Sequence, residues 1–136
     1  EFNFRWDPGA ASLVLAEPWA RILEVPVDPT TKTMFSKGLL AQITAHKNAV
    51  TDYLERYVQA FPMWDELGAA VWLDPTLATK VEHWRVNVDV SHGAGYGNTL
   101  SWEPGMAPAF GGGNADVLLD FDLPRFERFV VETFSR

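Results

Sequence analysis

Proline and glycine divide this chain into short units, and the spacing of its apolar residues changes from one unit to the next. Strand-like and helix-like units alternate, and the last of them form a strand-loop-strand piece. That order predicts an α/β domain or part of one. The 136 residues suit a single domain, and a 47% hydrophobic share is ample for a packed core.

After Asp7-Pro8-Gly9, the run Ala10–Ala16 predicts a short helix with Asp7 at its N-cap and Pro8 at its first position. Pro18 stops it. Arg21–Val27 is aliphatic and β-branched, which predicts a buried strand, with Asp28–Lys32 as the following turn. From Ser36 the period becomes helical: Leu40, Ile43, Val50, Leu54, Tyr57, Val58 and Phe61 fit one amphipathic helix or a broken pair ending at Pro62. Another helix opens at Met63-Trp64-Asp65 and runs to Asp74-Pro75. Trp84, Val86, Val88 and Val90 alternate with Arg85, Asn87 and Asp89 as in a strand. Gly93–Gly97 turns that strand back toward Trp102. Gly111-Gly112-Gly113 reads as a flexible connection into a strand over Ala115–Asp122, whose acidic residues form its wet face. Phe126, Phe129, Val130 and Phe134 give the closing helix its apolar side.

Composition narrows the function. Eleven basic residues against eighteen acidic ones give a net charge of −7. Nucleic-acid polymers need Lys and Arg to neutralise phosphates, so none is expected as a partner. No apolar run is long enough to cross a bilayer, and no signal-peptide pattern opens the chain. Without Cys there is no disulfide framework or thiolate metal site. A soluble, cytoplasmic setting is the expectation. The opening Glu1-Phe2-Asn3-Phe4 lacks an initiator Met and reads as cut from something longer.

Trp64-Asp65 is the most informative pair. Asp65 falls at a helix start, where its carboxylate either accepts backbone N–H bonds or faces a ligand and holds a hard cation. A calcium ion takes six to eight oxygens, so one Asp does not make a site. Trp64 is either core filling or a flat surface for a planar ligand. Trp6, Trp19, Trp72, Trp84 and Trp102 are assigned to the core. His46, His83 and His92 lack metal-ligand spacing, and His46 reads as a core or interface residue on the apolar side of its helix. Gly93-Ala94-Gly95-Tyr96-Gly97 is better explained by a hairpin than by a phosphate loop. No Gly-x-Ser-x-Gly elbow is present.

Four motifs in order carry a resemblance: Glu1-Phe2-Asn3 with Asp7-Pro8-x-Ala10-Ala11; Val25-Pro26-x-Asp28-x-Thr30-x-Lys32; Trp64-Asp65-x-Leu67; and Leu73-Asp74-Pro75. Together they resemble the C-terminal part of the nucleoside hydrolases, the inosine–uridine and purine-specific nucleoside N-ribohydrolases. Gly9 departs from the pattern, which usually has Glu there. The resemblance implies an α/β fold in which residues 1–136 form the C-terminal portion of an open, mostly parallel Rossmann-like sheet, with flanking helices and a β-hairpin. It also implies hydrolysis of the N-glycosidic bond of ribonucleosides by a calcium-bound water. Asp65 matches a calcium ligand, Glu1 and Asn3 match residues holding ribose hydroxyls, and Phe2 lies beside them against the nucleoside. Trp64 matches the purine-specific branch, in which a Trp stacks on the base where the inosine–uridine type carries a His. Tyr53, Arg56, Tyr57 and Phe61 precede it as candidates to close over the base, or else as a helix face packed on the sheet.

The family's catalytic Asp sits in an Asp-Thr-Asp-x-Gly-x-Asp-Asp motif that this sequence does not contain. A purine-cleaving parent enzyme, with this chain inactive by itself, is therefore the leading expectation. A non-catalytic nucleoside-binding or interaction module is the alternative, and a pyrimidine or modified-nucleoside hydrolase is a third. A partial open sheet predicts an unpaired edge, and so a homo-oligomer or association with the missing N-terminal segment.

Overall fold

The computed structural model describes residues 2–109 and 111–135. Its strands are β1 (Leu23–Glu24), β2 (Ala78–Val88), β3 (Thr99–Trp102) and β4 (Gly113–Phe121), and the sheet order is β1-β4-β2-β3. Leu23 and Glu24 pair in parallel with Asp116 and Val117, whereas Arg85–Val88 run antiparallel to Thr99–Trp102. The sheet is therefore mixed rather than mostly parallel. The turn between β2 and β3 returns the chain directly, and adjacent strands joined that way must be antiparallel.

The contacts divide the chain into two compact units. The first comprises residues 2–26 and 81–118 and carries α1 (Phe2–Trp6) and α2 (Pro8–Ala16). Asp7 caps α2 by accepting a hydrogen bond from the Ala10 amide at 3.0 Å, with Pro8 at the first helical position. Leu15, Val86, Val88, Ala115, Val117 and Leu118 are its buried apolar residues. β1 is far shorter than the expected strand over 21–27. Pro26 has no N–H for a ladder, and a short helix, α3 (Val27–Thr30), starts immediately after it.

The glycine run before β4 is not a flexible connection. Gly111 and Gly112 have φ of +76° and +68°. A Cβ on Gly112 would strike the Val86 carbonyl, and one on Gly113 would strike the Leu15 carbonyl. Arg85 donates to the Gly111 carbonyl at 3.0 and 2.7 Å and to that of Gly112 at 3.2 Å. Close backbone approach leaves space only for hydrogen at Gly112 and Gly113.

The second unit comprises residues 27–80 and 119–135 and is mainly helical. The long apolar stripe resolves into a broken pair, α4 (Lys37–Thr44) and α5 (Ala49–Tyr57). Ser36 caps α4 through the Leu39 amide. Asn48 and Thr51 form a reciprocal capping box on α5. α6 (Trp64–Leu73) is followed by a 3₁₀ turn, and α7 (Leu123–Phe134) starts from an Asp122 cap. α4 packs on α5 and α7, and α6 on α3 and α7. Ile43, Leu67, Leu77 and Phe126 are fully buried, and the Phe126 ring meets Phe121 edge-on at 5.8 Å.

Two expectations about the core are overturned. None of the six tryptophans is buried: Trp6, Trp19, Trp64 and Trp72 are exposed, and Trp84 and Trp102 are intermediate. On α6 the buried stripe is Leu67, Ala70 and Val71, and Trp72 falls outside that helical spacing. Trp19 places its indole N–H on the Val14 carbonyl at 2.7 Å, at the surface. His46 is also exposed, because α4 ends at Thr44 and its buried stripe is Leu39, Ile43 and Thr44.

Candidate active site

Trp64 and Asp65 open α6, and the chain reaches that point along a constrained path. The Phe35 amide donates to the Phe61 carbonyl at 2.8 Å. Two residues on, the Met63 amide donates to the Thr33 hydroxyl at 2.9 Å, and Met63 is buried. No side chain caps the helix, so Asp65 does not act as a capping acceptor. Asp65 and Glu66 place two carboxylates in the first turn, where the positive end of the helix dipole favours them. Both are exposed. Trp64 is 42% exposed, and the Phe61 ring meets it edge-on at 4.8 Å with an interplanar angle of 68°. This T-shaped contact braces one side of an indole that keeps much of its surface open.

The residues of α5 are arranged differently. Tyr53 and Tyr57, one helical turn apart, have ring centroids separated by 4.6 Å. Tyr53, Arg56 and Tyr57 line a cleft of about 250 Å³ together with Asp52. A second cavity of about 310 Å³ lies among Tyr57, Phe61, Met63 and Glu66. Tyr57 thus faces both hollows, and Phe61 links the second to Trp64. Tyr53 and Arg56 belong to the α5 cleft.

In the other unit, Phe2 and Asn3 are exposed on α1, and the Phe2 ring lies 5.4 Å from that of Trp6. Glu1 lies outside the described residues. Gly97, at φ +83°, lets the Arg5 backbone approach so closely that a Cβ there would sit 2.9 Å from the Arg5 Cα. Gly97 is thus a positioning residue for α1, and its only sign in the sequence is a Gly-rich turn. In the same unit, Asp116 bridges His83 Nδ1 at 3.1 Å and Arg21 Nε at 3.0 Å. The hydrogen bond from His83, aided by Arg21, holds its carboxyl below the usual carboxylate value.

Calcium can be weighed against these positions. Among the described residues, no group of three or more His, Asp or Glu side chains is gathered closely enough to hold a metal ion. Asp65 offers one exposed carboxylate. These residues do not fit a complete cation site by themselves. No helix among the described residues is long and apolar enough to cross a membrane.

A family model for inosine-uridine preferring nucleoside hydrolases matches residues 1–128. No curated protein matches. A plant nucleoside hydrolase structure is 21% identical with a TM-score of 0.80, over 99% of this chain and 47% of its own. The purine-preferring ribonucleoside hydrolase of Gardnerella vaginalis is 21% identical with a TM-score of 0.77, over 99% of this chain and 46% of its own. The inosine-uridine preferring nucleoside hydrolase of Bacillus anthracis is 20% identical with a TM-score of 0.74, over 98% of this chain and 42% of its own. This chain therefore spans less than half the length of each, and at these identities the likeness establishes the shared fold. The match over residues 1–128 places the chain in the inosine-uridine preferring nucleoside hydrolase family.

Proposed function

We propose that this chain supplies the leaving-base side of a ribonucleoside hydrolase, which cleaves the N-glycosidic bond of purine ribonucleosides to free base and ribose. The observation that carries this reading is the exposed Trp64 indole, braced by Phe61 and followed directly by the exposed Asp65. Bond breaking builds positive character on the sugar and requires the base to depart. An indole has one N–H donor and does not titrate near neutrality, so it is not a general acid. Its π-face instead holds a flat purine and favours the protonated, departing form. Glu1 and Asn3 are assigned to the ribose hydroxyls, and Phe2 lies beside them against the nucleoside. Tyr53 and Arg56 are assigned to closing over the base, and Asp65 to contributing one oxygen toward a calcium ion completed by groups beyond these residues. No residue of the chain is assigned as the water-activating base. We read residues 1–136 as the C-terminal part of the hydrolase domain, in a cytoplasmic enzyme that assembles as a homo-oligomer or with the remaining part of the fold. Exposed Trp6 and Trp72 support such association. A monodisperse monomer in sedimentation would count against it.

The direct test is release of free base from inosine, adenosine and guanosine by the intact, calcium-replete protein. Asp65→Ala is expected to abolish release, and Trp64→His to damage purine turnover more than ribose binding. Protein that cleaves no nucleoside under these conditions sinks the hydrolase reading. A second reading, a non-catalytic nucleoside-binding module, uses the same exposed Trp64 indole as a stacking surface without bond cleavage. Binding of inosine without release of hypoxanthine would select it.

A further inference from the structure

We infer that Thr33, a residue with no place in the motifs that mark the family, is a positioning residue for Trp64; this rests on the reading of Trp64 as the base-stacking surface. Thr33 is fully buried, and its hydroxyl is used in both directions. The O–H donates to the Thr30 carbonyl at 2.7 Å, and the oxygen accepts the Met63 amide at 2.9 Å. The Thr33 amide adds a second bond to the same Thr30 carbonyl at 3.0 Å. One hydroxyl thus ties the end of α3 to the residue immediately before Trp64.

The second tie on this segment is the bond from the Phe35 amide to the Phe61 carbonyl at 2.8 Å. The two bonds hold residues 61 and 63 against residues 35 and 33. Phe61 then braces the Trp64 ring, so both the backbone under the indole and the ring beside it are fixed from one loop. α6 has no side-chain cap of its own to fix where it begins. An amide left unsatisfied in the interior drives local rearrangement, because water cannot reach it to replace the lost partner. The rearrangement would fall at Met63, one residue from the indole. A stacking surface is useful only when it is held in place before the ligand arrives.

The test compares Thr33→Val, which keeps the shape and removes the hydroxyl, with Thr33→Ser, which keeps the hydroxyl and removes a methyl group. Hypoxanthine is titrated into each full chain, below the melting temperature of every variant. The Trp64 indole N–H resonance, identified by its loss in Trp64→Phe, is followed by NMR. Thr33→Val is expected to weaken hypoxanthine binding about tenfold and to broaden or split the Trp64 resonance. Thr33→Ser should stay within twofold of the parent. A role confined to overall stability would lower the melting temperature and leave affinity and resonance unchanged below it, which would overturn the inference. So would Thr33→Ser behaving like Thr33→Val. Trp64→Ala binding hypoxanthine as tightly as the parent would instead remove the stacking reading itself, whatever the Thr33 variants do.

Discussion

The two compact units are held in shape by different kinds of information. In residues 27–80 and 119–135, three helix starts are fixed by side chains three or fewer positions away: Ser36 for α4, Asn48 with Thr51 for α5, and Asp122 for α7. α6 is the exception, uncapped and held through Thr33. In residues 2–26 and 81–118, the decisive contacts join positions far apart in sequence. Gly97 lies against Arg5, Gly112 against Val86, and Gly113 against Leu15. The first kind of contact tolerates change in modest steps. The second fails abruptly, because a backbone atom cannot move aside as a flexible side chain can.

This contrast can be broken or sharpened by substitution. The largest loss is expected from Phe126→Ala, which empties a fully buried ring site in the helical unit and should cost about 4 kcal/mol in urea unfolding. Gly113→Ala follows at about 3 kcal/mol, because its methyl group would overlap the Leu15 carbonyl. Gly105→Ala is its control. Gly105 has a positive φ of +81°, which Gly113 lacks, and no atom within 4 Å of an added Cβ, so only backbone strain of about 1 kcal/mol should appear. Equal losses at Gly105 and Gly113 would show that close approach costs no more than a left-handed backbone does.

Asn48→Ala should cost about 1 kcal/mol, since it removes a cap that accepts from the Val50 and Thr51 amides at 2.9 Å each. A loss as large as that of Gly113→Ala would erase the distinction between the units. The smallest effect concerns acid. Asp116 is held below its ordinary value of 3.8 in the folded state, so its stabilising contribution is present above that value and disappears as pH falls through the lowered one. Asp116→Asn should therefore flatten the stability–pH curve below pH 3.8. Thermal melts across that range measure it.

Legibility in the sequence follows the range over which a contact acts, in both units. The Asp7-Pro8 start of α2 and the Met63-Trp64 start of α6 were both readable, because caps, prolines and a helical apolar period act within one turn. The β-hairpin was readable from alternation and glycine. The extent of β1 was not, since Arg21–Val27 has the composition of a strand yet only Leu23 and Glu24 find a partner in β4. The indoles were misplaced for a related reason. Tryptophan is large enough to anchor a core, but whether it does so depends on which helical face meets another element.

At the candidate site, the sequence by itself determined that an indole and a carboxylate stand together at a helix start, because neighbours in the chain cannot be separated. It also determined the Asp7 cap, the short units and the acidic balance. Only the tertiary structure decided that Phe61 braces Trp64, that the Thr33 hydroxyl holds the amide before it, and that Gly112 and Gly113 admit no side chain. Those outcomes depend on distances between residues that the chain brings together only by folding. No local pattern encodes such a distance, because it is set by the packing of every element between them.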